Sequence, residues 1–515
     1  MLKRMMRMGL ICAIALLIAS VAMAQQAPEP VVRMGDWVEI GDDAWINFIG
    51  AATIKYNVAE NHDFEGDIQD AFVPDSFNAT GGRFCERGAA DAFCAEIRLG
   101  ADFRYQKNFR MRILLEAESV YDGNLIDDRA NSNDGTENPT HVERFWVDYT
   151  FEQVPLRIRV GADLWCLDLG CVVSDDDPGY KLWYNAGDIE LRAWTVLQNQ
   201  GVRLELTNDN NDVYYMFGAR YTGMKGHTFA VDFLYDRDRF NQRAAGRESD
   251  FFLIMPAWRG QIGNISVFAE GLFGFGEVRT PTVDFDVANW AVMASAEINL
   301  GQFRPYVGVI YASGDDDEND TDLNGFHPVN HADVLLIGLG PFPNGEGPIY
   351  DQETPCAANS PICGGIGGLH TIANPFNNNV GNTQHTRATL DSEFSNAGTF
   401  LFIVGSRVSV AKQHNLDVWY SYHAVADSTL MEAQARGITG DPNYSIDESM
   451  FHSIGGHWTW TLSRHFDIQL RGNATFAADG MKDIAETVTT CGNGTQACEG
   501  EDVHLAGEVQ FRGRF

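Results

Sequence analysis

Residues 503–515 alternate without a break. Val503, Leu505, Gly507, Val509, Phe511, Gly513 and Phe515 take one parity, and His504, Ala506, Glu508, Gln510, Arg512 and Arg514 the other. Successive side chains of a β-strand point to opposite faces, so this segment has one apolar and one polar face. The same period of two recurs near 44–57, 93–106, 108–121, 142–152, 155–165, 188–197, 200–208, 212–222, 226–237, 249–260, 262–277, 286–300, 302–313, 395–410, 414–427, 448–463, 465–478 and 501–515. The chain is 44% hydrophobic, yet beyond its first residues no run is long enough for a membrane helix. Strands with lipid on one face and a wet lumen on the other meet both conditions. The predicted fold is all-β: a transmembrane antiparallel up-and-down β-barrel of about 18 strands with long extracellular loops, an even count as such barrels require.

The two ends agree with export to an outer membrane. Basic Met1 to Arg7, an apolar run from Gly9 to Val21 and Ala22-Met23-Ala24 form a signal peptide over 1–24, cut after Ala24. Cys12 lies inside the apolar run, which argues against a lipid-anchored N-terminus. Residues 25–43 make a short periplasmic segment, too small for a plug domain, and the barrel occupies 44–515. Phe515 resembles the terminal aromatic that bacterial barrel-assembly machinery reads, so it is the expected assembly signal. The implied surroundings are outer-membrane lipids and lipopolysaccharide.

Connections alternate between short and long. Gln106-Lys107-Asn108, Gln153-Val154-Pro155, Leu300-Gly301-Gln302 and Ser463-Arg464-His465 are short and fall on the periplasmic side if the first strand starts there. The longest connection runs from about 314 to 394, a length typical of functional loops, and a loop folded inward would narrow a pore. Cys85 with Cys94, Cys166 with Cys171, Cys356 with Cys363 and Cys491 with Cys498 then lie in or beside outer loops. As close pairs in an exported chain they are read as disulfides, and none has the C-x-x-C spacing of a zinc site. The net charge of −34 argues against nucleic acid as a partner.

Charges on the strands have to face inward, because a mid-membrane Arg or Lys on the lipid side costs ~2–4 kcal/mol. That assigns Arg104, Arg110, Arg112, Arg157, Arg159, Arg203, Arg220, Arg304, Arg407, Arg471, Arg512 and Arg514 to the lumen in its periplasmic half. Few acids are expected beside them: Asp102, Asp417 and Asp467. Glu116, Glu118, Asp163, Glu190 and Glu205 are placed higher. The guanidinium fork suits carboxylates, and rings of basic side chains select anions. The competing account is that these arginines pair with lumen acids and brace the wall.

Other motifs are weaker. Asp315, Asp317 and Asn319, in the acidic run opening the long loop, form a calcium candidate set without the glycine of an EF-hand. His327, His331 and Asp333 read as polar loop residues. Ser421 and His423 share an inward face, but no catalytic motif accompanies them, so no enzyme activity and no cofactor are expected.

Tyr311-Ala312-Ser313-Gly314-Asp315-Asp316-Asp317, followed by Asp320, Asp322 and Phe326-His327-Pro328, resembles the most recognisable segment of the alginate-export family of outer-membrane porins. The Arg-x-Arg starts of strands 108–121 and 155–165 are similar in kind, whereas Gly161-Ala162-Asp163 departs from the family's Gly-Arg-Gln. The resemblance implies a monomeric barrel of eighteen strands passing an anionic polysaccharide. The alternatives are a general or carboxylate-specific diffusion porin, or a structural barrel presenting acidic loops.

Overall fold

The computed structural model describes residues 37–60, 93–122, 125–127, 140–163, 165–166, 174–175, 178–198, 212–238, 248–280, 283–317, 320–326, 397–480, 482–483 and 503–514. The barrel strands are β1 (Ala44–Glu60), β2 (Phe93–Tyr105), β3 (Phe109–Asp122), β4 (Thr140–Thr150), β5 (Leu156–Ala162), β6 (Pro178–Ala186) and β7 (Ile189–Gln198). Next come β8 (Asp212–Tyr221), β9 (His227–Asp238), β10 (Glu248–Ile262), β11 (Ile265–Arg279), β12 (Asp284–Ile298) and β13 (Phe303–Ala312). The last five are β14 (Thr399–Ala411), β15 (His414–Ala424), β16 (Ser449–Ser463), β17 (Phe466–Ala477) and β18 (Val503–Arg514). Each pairs antiparallel with its neighbour in sequence, and β18 closes on β1 from Ala51↔Arg514 to Glu60↔Leu505. The result is a closed barrel of 18 strands without a free edge.

Closure is staggered, so β18 ends opposite Ala51 and leaves the start of β1 without a partner on that side. The chain fills the gap itself. Trp37–Gly41 folds back through Asp42 and Asp43 and pairs with β1 from Trp37↔Asn47 to Gly41↔Ala44.

One end of the barrel carries short turns, at 106–108, 151–155, 187–188, 222–226, 263–264, 299–302, 412–413 and 464–465. Gly263 and Gly301, with φ of 62° and 83°, take left-handed conformations in two of them. This is the periplasmic end. The opposite end carries the long connections, one of which holds helix α1 (Thr429–Thr439). Asp427 accepts its first amide, Thr429 N–H, at 2.8 Å, and Gly440 ends it in a left-handed conformation.

The outer surface is apolar. Phe48, Leu99, Leu115, Val160, Leu191, Phe217, Phe233, Phe273, Val404 and Ile454 all point away from the lumen and are exposed. Aromatic side chains gather at both ends of this surface. Toward the outside, Tyr215, Tyr235, Phe252 and Phe275 stack in succession at centroid distances of 5.9, 4.7 and 5.4 Å. Toward the periplasm, His227, Phe229 and Trp258 stack together, as do His414, Trp458 and Trp460. On β10, Phe252 and Trp258 mark the two levels six residues apart, about 20 Å of strand. A closed, even-stranded barrel with an apolar band between aromatic girdles is an outer-membrane barrel.

One strand is added to those expected. Pro178–Ala186 is a full strand that periodicity did not pick out, because Trp183 sits on the inner face and blurs the alternation. The segment 200–208, expected as a strand, lies outside the described residues. The added strand reverses β7, so Glu190 stands at the periplasmic end and not high in the lumen. The expected strand over 414–427 stops at Ala424, before α1. The signal peptide, most of the N-terminal segment, Phe515 and all cysteine side chains also lie outside the described residues.

Candidate functional site

The inner faces of β2 to β7 carry basic, acidic and tryptophan side chains in register. Asp102 lies opposite Arg112, Trp146 opposite Arg112 and Gly161, Asp148 opposite Arg159, and Lys181 opposite Arg159 and Trp194. Arg112 holds Asp102 with two parallel bonds, Nε at 2.6 Å and Nη2 at 2.8 Å. A continuous chain of ion pairs then crosses three strands. Arg157 donates to Asp148 at 2.5 Å, and Arg159 reaches Asp148 at 2.9 Å and Asp163 at 2.6 Å. Lys181 closes the chain on Asp163 at 2.8 Å.

Indole rings lie beneath this chain. The Arg159 guanidinium stands 3.8 Å from the Trp146 centroid and Arg112 5.5 Å from the same ring. Arg157 lies 4.6 Å from Trp183, and Lys181 and Arg192 lie 5.0 and 5.1 Å from Trp194. Each cation is thus held by a π-face and a carboxylate together. Two glycines make room. A Cβ on Gly161, whose φ is +130°, would strike the β4 backbone at Phe145 and Trp146. A Cβ on Gly218 would strike Asp232, which Arg192 reaches across β8 to pair with.

Across the lumen, Glu297 takes both Arg304, at 3.9 Å, and Arg407. Tyr306 donates to Asp417 at 2.9 Å, and Arg512 donates to Asp467 at 2.8 Å. Arg220 faces inward opposite Glu190. Glu116 is buried in the mid-lumen and accepts from Arg98 at 2.9 Å. Glu118, Arg471 and Arg514 occupy lumen positions by register, but their side chains lie outside the described set, as do Arg203 and Glu205 entirely.

The lumen is less uniform than the alternation implied. Acids in the periplasmic half are not few, since Asp148, Glu190 and Glu297 join Asp102, Asp417 and Asp467 there. Most of the arginines are neutralised. The inner face of β8 to β14 is also apolar over much of its length, with Met216, Leu234, Leu253, Met255, Leu272, Met293 and Ile310 buried. The expectation of a wet polar face on every strand fails along this arc. The cluster includes Leu323 and Phe326, both fully buried, from the start of the long loop.

That loop turns inward at its root. Asp322–Leu323 pairs parallel with Asp286–Val287 of β12, so the chain there descends from the outer mouth. Ser313 pins it, donating from Oγ to the Asn324 carbonyl at 2.6 Å and accepting Trp290 N–H at 3.0 Å. Asn289 Nδ2 donates to the Gly325 carbonyl at 3.1 Å. Asp315 is buried here while Asp317 is exposed, and Asn319, His327, His331 and Asp333 lie outside the described residues. Among the described residues no three His, Cys, Asp or Glu side chains group as a metal site. Ser421 and His423 do meet, at 3.1 Å, but both are buried.

Trp146, Trp183, Trp194, Lys181, Arg192, Asp148 and Glu297 escaped the sequence reading. A tryptophan two residues from a cation on one strand face, as in Lys181-x-Trp183 and Arg192-x-Trp194, is the signal that marks most of them.

No protein-family model matches the chain, and no curated protein matches it. Solved structures resemble it at low identity. Acinetobacter baumannii OccAB3 is 10% identical with a TM-score of 0.48, covering 91% of this chain and 99% of its own. A BenF-like porin from Pseudomonas fluorescens Pf-5 is 10% identical with a TM-score of 0.47, covering 92% and 99%. Pseudomonas aeruginosa OprD is 9% identical with a TM-score of 0.46, covering 91% and 95%.

Proposed function

We propose that the barrel is a passive pore for anionic solutes, with small carboxylates as the principal class. The observation that carries this reading is the row of arginines on the inner faces of β2, β3 and β5 at the periplasmic mouth. At that mouth Arg112 and Arg157 keep side-chain exposures of 27% and 34% even while ion-paired, so part of each guanidinium reaches the lumen. Tryptophan faces hold the guanidiniums flat on the wall, which lowers the ordering cost of receiving a carboxylate.

An anionic polysaccharide such as alginate belongs to the same chemical class. The basic wall favours short anions over a polymer, because it occupies one sector and half the height and is interrupted by acids. Reversal potentials across planar bilayers under a potassium chloride gradient test the proposal. Anion selectivity that falls in the combined Arg110→Gln, Arg112→Gln, Arg157→Gln variant supports it, and blockade by polyuronate would extend it to polymers. Cation selectivity overturns it in favour of a general porin, and an assembled barrel without conductance points to a structural role.

A further inference from the structure

Like charges directly opposite each other in a sheet destabilise it unless something neutralises them. Among the described residues the lumen holds three basic pairs in register. Lys181 lies opposite Arg159, Arg407 opposite Arg304, and Arg110 opposite Arg104. The first pair shares Asp163, at 2.8 and 2.6 Å. The second shares Glu297. The third shares no described acid.

The carboxylates beside the pair on β2 and β4 are already taken. Asp102, two residues from Arg104 on the same face, is held by both forks of Arg112. Asp148, opposite Arg110 on β4, is held by Arg157 and Arg159. Arg104 donates Nε to the Gln106 carbonyl at 3.2 Å and lies 5.8 Å from the Trp45 centroid, which fixes its position without cancelling its charge. Both arginines are exposed, beside the 106–108 turn at the periplasmic mouth. Where the wall elsewhere supplies a carboxylate between two cations, here the place is open to solvent.

We propose that Arg104 and Arg110 form a binding site for a carboxylate of a soluble anion, which takes the position that Asp163 and Glu297 occupy in the other two pairs. Two guanidiniums can donate to the two oxygens of one carboxylate, and Arg suits this better than Lys because its donors form a planar fork. The site deepens the anion-path reading and rests on it, since it would be the last contact for a solute entering the periplasm and the first for one leaving it.

Calorimetric titration of succinate into the full-length, detergent-solubilised barrel at low salt tests the site. Saturable binding is expected, weakened about tenfold or more in Arg110→Gln and less in Arg110→Lys. Lys225→Gln, a charge change in the 222–226 turn at the same end, should bind as the unaltered protein does. Arg110→Glu supplies the missing acid to Arg104, so it should abolish binding and raise the unfolding temperature. Undiminished binding in Arg110→Gln, or equal weakening in Lys225→Gln, overturns the site. Reversal potentials separate the two ideas: anion selectivity with succinate binding indifferent to Arg110 removes this site and leaves the path. Cation selectivity with Arg110-dependent binding removes the path and leaves the site.

Discussion

The Arg159 guanidinium lies 3.8 Å from the centroid of the Trp146 ring, while two carboxylates, Asp148 and Asp163, hold its edge. Trp146 is almost fully buried, at 3% exposure, so it acts as a floor for the cation and not as a surface for solutes. Trp146→Leu removes that floor and opens a void. The expected loss is about 2–4 kcal/mol in urea unfolding from lipid vesicles. Trp146→Phe, which keeps a π-face, should lose less.

Asp148 neutralises Arg157 and shares Arg159 with Asp163. Asp148→Asn therefore frees positive charge at the mouth without removing any arginine. Reversal potentials should shift toward stronger anion selectivity while the unfolding midpoint falls. An unchanged reversal potential with a lower unfolding midpoint would show that the pairs brace the wall and do nothing for permeation.

Leu99 and Leu115 lie opposite each other on β2 and β3, facing lipid. Leu115→Arg places a guanidinium in the apolar band and should cost ~2–4 kcal/mol, read as reduced vesicle insertion and a lower urea midpoint. The neighbouring lumen position Glu116 accepts Arg98, so Glu116→Gln should leave insertion intact and change conductance.

Ser313 ties the root of the long loop to β12 through two hydrogen bonds. Ser313→Ala removes both at about 1 kcal/mol each. Hydrogen exchange at the Trp290 and Phe326 amides should speed up severalfold, with amides in β2 to β5 unchanged. Unaltered exchange would mean that Leu323 and Phe326 hold the root by packing alone.

Outside the membrane, Asp447 accepts the Ser449 amide at 2.8 Å and the Ser449 hydroxyl, which hold its carboxyl below the ordinary value of 3.8. A depressed folded-state value stabilises the loop only while the group is ionised. The contribution is present above the unfolded value and is lost as pH falls through the folded one. Ser449→Ala should raise the Asp447 value toward 3.8, and peptide-level hydrogen exchange over 445–449 should then respond to acid at a higher pH than in the unaltered protein.

The period of two was enough to determine that this chain makes a barrel, which faces of its strands meet lipid, and which ends carry the short turns. Lipid enforces these outcomes one strand at a time, because an outward charge or an unpaired backbone amide is costly wherever it occurs. Arg110, Arg112, Arg157 and Arg159 could therefore be assigned inward from their immediate neighbours. Strand direction is a different kind of property, since it depends on every strand that comes before. Passing over Pro178–Ala186 inverted β7, and with it the height of Glu190. Inner faces were less legible still. They must satisfy one another and not a uniform solvent, so their residues follow no local rule. Only the closed sheet, by setting the register of β4, β5 and β6, decided that Asp148 would neutralise Arg157 and Arg159 and leave Arg110 without a carboxylate among the described residues. Sequence distance carries no trace of that choice, because register is a property of strands already paired.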